Sequence, residues 1–135
     1  MPLYRKNVIA ALRVVTAAYE ASEHSTNKSK YKDFDLEISE DWHEHGEEVP
    51  DGEYNMTVVY ASKKGKQIGY AEFIHKDGGV LLPNNIEIDE DERRQGLATA
   101  MYVQAENETG RTIKPHNIQS PEGRELWNQK NRPFG

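Results

Sequence analysis

The residues Arg93-Arg94-Gln95-Gly96-Leu97-Ala98-Thr99 stand between an extended run, Ile86-Glu87-Ile88, and a helical run that opens small and apolar. A helix N-terminus leaves several backbone N–H groups without partners and carries roughly +0.5 of an elementary charge. An anion docked there gains several hydrogen bonds at once. Gly96 has no side chain to hold such a group away, Ala98 is the next smallest choice, and Thr99 adds a hydroxyl on the first turn. Arg93 and Arg94 supply cations that can pair with phosphate oxygens. The pattern predicts a pocket for a diphosphate. The same residues also suit a plainer arrangement, in which the arginines pair with the acids before them and Gly96 serves close packing.

Two better-known phosphate signatures are missing, since the chain has neither Gly-x-Gly-x-x-Gly nor Gly-x-x-x-x-Gly-Lys-Ser/Thr. Two carboxylates stand near the predicted pocket. Glu87 lies on the strand that leads into it, and Glu72 lies on the neighbouring strand, sharing a face with Tyr70 and Ile74. His43-Glu44-His45 places two imidazoles on one side of an extended segment but lacks a spaced third ligand, so no metal site is expected. His116 stands just before the last helix, and Trp42 and Tyr54 bracket the acidic loop and could line a substrate cleft.

The elements that must position these residues follow from periodicity. Val8, Ile9, Leu12, Val15 and Tyr19 recur at helical spacing and predict a helix over 4–22, followed by a polar loop through 30. Phe34, Leu36 and Ile38 alternate with acids, a strand pattern. Residues 41–53 read as a loop. Met56 to Tyr60 and Ile68 to Ile74 form a predicted hairpin with Gly65 at the bend. The next strand, over 80–89, contains Pro83, which cannot donate a ladder hydrogen bond, so it should be bulged or unpaired there. A helix is predicted from Arg94 to about Glu108, with Leu97, Met101 and Ala105 on one face and Gly110 as its stop. A short strand in 111–115 and a last helix opened by Ser120 and Pro121 complete the order.

Composition limits the function classes. At 135 residues the chain is expected to form one domain: a helix and polar loop over 1–32, an acidic segment over 33–53 and a core over 54–135. There is no cysteine, which excludes disulfides and thiolate metal sites. Arg5, Lys6 and Arg13 interrupt the first apolar segment, and no run approaches the ~20 apolar residues of a membrane span, so a cytoplasmic protein without a membrane partner is expected. The net charge of −6 is uneven: residues 33–53 hold ten acids and no lysine or arginine. Such a run is usually a solvated face, but it also attracts cations, and its sign argues against nucleic acid as a partner. The apolar helix at 4–22 either covers the sheet or meets a second copy in a homodimer.

Arg93-x-x-Gly96-x-Ala98, preceded by Ile86-Glu87-Ile88 and followed by a Leu/Met helix, resembles the acyl-CoA-binding motif of the GCN5-related N-acetyltransferase (GNAT) superfamily, whose usual form is Arg/Gln-x-x-Gly-x-Gly/Ala. The likeness continues through Gly110-Arg111 and Ser120-x-x-Gly123-x-x-Leu126-Trp127 to the closing Arg132-Pro133-Phe134-Gly135, and so covers roughly 54–134. It implies an α+β fold with a mixed, mostly antiparallel sheet, flanking helices and a splayed motif strand. It also implies acetyl-CoA as co-substrate, with Arg93 to Thr99 around its diphosphate, the backbone at Ile86 and Ile88 along its pantetheine arm, and Ser120 where the family commonly has asparagine. The implied reaction is N-acetyl transfer to an amine, a small molecule or basic protein, by direct attack in a ternary complex. Glu87 or Glu72 would act as base. Trp127 stands where many members carry a tyrosine that reprotonates the leaving thiolate, and an indole N–H has no comparable acidity. The alternative is a catalytically inactive module of this fold that binds a basic protein, and the small, highly charged chain would suit a phage or mobile-element accessory protein in that role.

Overall fold

The computed structural model describes residues 28–50, 52–116 and 119–135. The helix expected over 4–22 lies outside them. The elements are β1 (Lys28–Tyr31), β2 (Phe34–Asp41), β3 (Met56–Lys63), β4 (Lys66–Lys76), β5 (Val80–Ile88), a 3₁₀ turn (Glu90–Glu92), α1 (Leu97–Thr109), β6 (Thr112–Ile113) and α2 (Pro121–Trp127). They form a mixed α+β fold around one six-stranded sheet in the order β1-β2-β3-β4-β5-β6. Neighbours from β1 to β5 are antiparallel, and β6 joins β5 in parallel after the α1 crossover.

The period-two pattern of β2 sorts its residues as expected: Phe34, Leu36 and Ile38 are buried and Asp35 is exposed. Their register partners on the same face, Val59 and Ala61, lead on to Ala71 and Phe73 of β4 and Leu81 of β5, and all are buried. On this face α1 lays down Leu97, Met101 and Ala105, the stripe its spacing predicts, together with Tyr102. Tyr102 meets Phe73 and Phe134 edge-on, each at a ring separation of 4.9 Å. Met56, Val58 and Ile74, with Tyr60 and Tyr70 against them, make a second, smaller cluster on the opposite face.

Turn chemistry sets the strand junctions. Lys64 (φ 52°) and Gly65 (φ 80°) link β3 to β4 with both residues left-handed, the two-residue hairpin geometry that favours glycine. In the β4–β5 ladder Glu72 pairs with Asn85 and Phe73 with Pro83, so Asn84 is an extra, bulged residue beside the proline. Gly110 (φ 70°) ends α1 and donates to the Glu106 carbonyl at 2.8 Å. Ser120 caps α2, its hydroxyl accepting from the Gly123 N–H at 3.0 Å.

Two expectations need correction. The polar loop placed before residue 32 gives way at Lys28–Tyr31 to an edge strand. Short, lysine-bearing edges are how sheets discourage further pairing, and that camouflages them in sequence. The helix expected from Arg94 begins instead at Leu97, because Arg94 (φ 64°) and Gly96 (φ 83°) are left-handed and cannot continue an α-helix.

Candidate functional site

The parallel β5–β6 pair extends only over Val80–Leu81 and Thr112–Ile113. Beyond it, among the described residues, no strand pairs with the outer edge of β5, which leaves a gap in the pairing alongside Leu82 to Ile88. At its closed end, the N–H groups of Thr112 and Lys114 donate to the carbonyls of Gly79 and Leu81. At its open end, the Asp89 N–H turns inward to the Ile68 carbonyl of β4, at 2.8 Å. By the alternation of an antiparallel ladder, Glu87 also turns its backbone toward β4, while Ile86 and Ile88 turn theirs to the open side. The Ile88 carbonyl there accepts from Arg93 Nε at 2.8 Å. That bond ties the loop ahead of α1 to the end of β5.

The loop brings Arg93 to Thr99 together at the start of α1. The N-cap residue, Gly96, has no side chain to satisfy the first N–H groups of this helix. Leu97 is 2 % exposed as a whole residue and belongs to the core. Arg94 is exposed, and Gln95 Nε2 donates to Glu92 Oε1 at 3.2 Å. Glu92 in turn pairs with Lys63. Gly96 is also closely packed, against a partner that the sequence did not disclose. A β-carbon there would stand 2.5 Å from the Tyr31 hydroxyl, which donates to the Gln95 carbonyl at 2.7 Å. Lys32 Nζ donates to the same carbonyl at 3.0 Å. The plainer reading of Gly96 as a close-packing residue therefore describes one of its sides. Along α1 from this point runs a groove of about 460 Å³, with Tyr31, Leu36, Thr99, Ala100 and Val103 in its walls.

The two candidate bases fall on the face away from α1. Tyr70 pairs across the ladder with Glu87, and Glu72 with Asn85, which puts all four side chains on one side. Asn85 Nδ2 donates to the Tyr70 hydroxyl at 2.8 Å, and Asn84 Nδ2 donates to Glu72 Oε1 at 3.1 Å. The Tyr70 phenol is held above its ordinary pKa of 10.0, by burial first and then by Glu87 and Glu72. Tyr60, also on this face, is raised by burial and then by Asp41 and Glu72 among others.

No family model matches the chain, and no curated protein matches it in sequence. Function has to be read from the site itself.

The remaining candidates divide. Ser120 acts as the cap of α2, and its hydroxyl is engaged in that role. Trp127 is half-buried against Phe134, at a ring separation of 5.1 Å, with the Arg132 guanidinium over its ring at 4.6 Å. It is a packing residue. His116 is exposed near the start of α2. His43 and His45 lie 5.6 Å apart by ring centroid, and among the described residues no group of three or more metal-ligating side chains is found. No helix among them is long and apolar enough to cross a membrane.

The acidic segment is more ordered than its composition suggests. Buried Asn55 organises it: its Oδ1 accepts from the His43 N–H at 2.7 Å, and its Nδ2 donates to the carbonyls of His43 and Glu47. Glu47 pairs with Arg111, which also donates to the carbonyls of Lys76 and Val80. Beside them His75 shares a 2.7 Å hydrogen bond with Thr57 at the edge of a cavity of about 330 Å³. Burial, then the Arg111 charge, lowers the His75 pKa from 6.5 to about 4, against an opposing pull from Glu47. Nothing in the periodicity marks this network, because its partners come from four separate segments.

Proposed function

We propose that the chain is an N-acyltransferase of the GNAT type, which moves an acetyl group from acetyl-CoA to a cationic amine held in the same complex. One observation carries this reading. Among the described residues no strand pairs with the edge of β5 at Ile86 and Ile88, the Arg93 side chain ties the Ile88 carbonyl to the loop ahead of α1, and Gly96 gives the first turn of α1 no side-chain cap. A coenzyme with a diphosphate at one end and an amide-bearing arm at the other needs that pair of features in that order. The backbone N–H groups of the first α1 turn would take the diphosphate, with Arg94 exposed beside it. Ile86 would pair with the arm. The acceptor side is anionic: Glu72 and Glu87, with Glu37 and Asp41 near Tyr60, favour an amine carrying positive charge.

Calorimetry with acetyl-CoA tests the proposal. Wild type is expected to bind in the micromolar range, Arg94→Glu at least tenfold more weakly, and Gly96→Trp not at all. Lack of binding by wild type at high micromolar concentration, or equal binding by all three, removes it.

A second reading has one observation in its favour. Trp42 is 59 % exposed at the head of the Asn55-anchored acidic loop, an arrangement suited to docking a basic protein without catalysis. Transfer of labelled acetyl to amines separates the two, because a docking module leaves every acceptor unlabelled.

A further inference from the structure

If the acyltransferase reading holds, the pairing gap also fixes where the reaction takes place. An arm that starts at α1 and pairs with Ile88 and Ile86 can run only as far as the point where Leu81 and Ile113 close the gap. Its reactive end therefore lies level with Pro83 to Asn85, the bulge. The chemistry-bearing side chains at that level are Tyr70, Glu72, Asn84 and Asn85. The Tyr70 ring leans over β5, since its hydroxyl meets the Asn85 amide at 2.8 Å, and Glu72 is oriented by Asn84 at 3.1 Å. Trp127, by contrast, is packed among Phe134 and Arg132 beside the α1 core.

We infer that Tyr70 is the acid that the last helix lacks, and that Glu72 is the base beside it. In the step they serve, the nitrogen of a neutral amine bonds to the thioester carbonyl carbon and the carbon–sulfur bond breaks. Glu72 takes the proton from nitrogen, and Tyr70 gives its own to sulfur. Proton return from Glu72 to Tyr70 through water restores both groups. The elevated pKa of Tyr70 keeps its proton in place at neutral pH. Asn85 donates to the phenol oxygen, which leaves the hydroxyl hydrogen free to point elsewhere.

The test needs no acceptor. Coenzyme A is bound to wild type, Tyr70→Phe and Glu72→Gln, and its thiol is titrated by the ultraviolet absorbance of the thiolate. A phenol donating to sulfur favours the thiolate, so the bound thiol should titrate about one pH unit higher in Tyr70→Phe than in wild type. A carboxylate near sulfur disfavours the thiolate, so Glu72→Gln should shift the titration downward. Identical titrations in wild type and Tyr70→Phe, with coenzyme A affinity unchanged, overturn the role of Tyr70 while leaving the acyltransferase reading in place. An unshifted Glu72→Gln titration does the same for Glu72. Failure of coenzyme A to bind wild type removes both the inference and the reading beneath it.

Discussion

The Tyr31 hydroxyl lies 2.5 Å from where a β-carbon on Gly96 would stand, so an edge strand and the helix start sixty-odd positions away are fitted to each other. Gly96 is also left-handed, at φ 83°. Two independent penalties therefore meet any side chain placed there.

Gly96→Ala is expected to destabilise the protein by about 1–2 kcal/mol from the backbone alone, and by more through the clash. Tyr31→Phe removes the oxygen that the new methyl group meets. Urea denaturation of the two single variants and the double variant should show a loss smaller than the sum of the singles. Strict additivity would mean that the Tyr31 contact does not dictate the glycine.

Asn55 is 3 % exposed and makes three side-chain hydrogen bonds to the 42–54 loop. Asn55→Ala takes the partner from the His43 N–H and from the Glu47 carbonyl, while the His43 carbonyl keeps the Gly46 N–H, and is expected to cost about 2–3 kcal/mol. Hydrogen exchange at His43 should accelerate more than exchange in the β3–β4 hairpin. Uniform acceleration would instead point to global destabilisation without a local role.

His75 predicts a pH dependence. Its folded pKa, about 4, lies below its ordinary 6.5, so the unfolded chain binds the proton more readily. The stability at stake is fully present above pH 6.5 and is lost as pH falls toward 4. Carboxylates titrate in part of the same window, so the comparison is with His75→Gln, whose stability should fall less steeply between those limits. Parallel curves for the two proteins would show that His75 is not the group responsible.

How much of this was legible depended on the range of the interactions. The Gly65 hairpin, the bulge beside Pro83, the Gly110 stop and the Ser120 cap were all readable, because each is decided by backbone restrictions within a few residues. Strand β1 was not, because Lys28, Ser29 and Lys30 carry no apolar alternation and only Tyr31 hints at a strand. The helix start was misplaced by three residues, since Arg94 gives no sign in its side chain that its φ is positive. At the candidate site, the sequence brought forward Arg93 to Thr99, Ile86, Ile88, Glu72 and Glu87 as individuals. It could not show that Tyr31 fills the approach to Gly96, or that Asn84 and Asn85 tether Glu72 and Tyr70, because those contacts depend on register.

The two-residue hold of β6 on β5 has a kinetic corollary. Val80 and Leu81 cannot recruit Thr112 and Ile113 until the intervening crossover has packed, and Glu106 of that helix must itself be in position to receive the N–H groups of Ile113 and Gly135. Loop closure across so much chain comes late in folding. The sheet therefore assembles from its hairpins outward and finishes at β6, which makes the rim of the gap the last edge to zip and the first to fray.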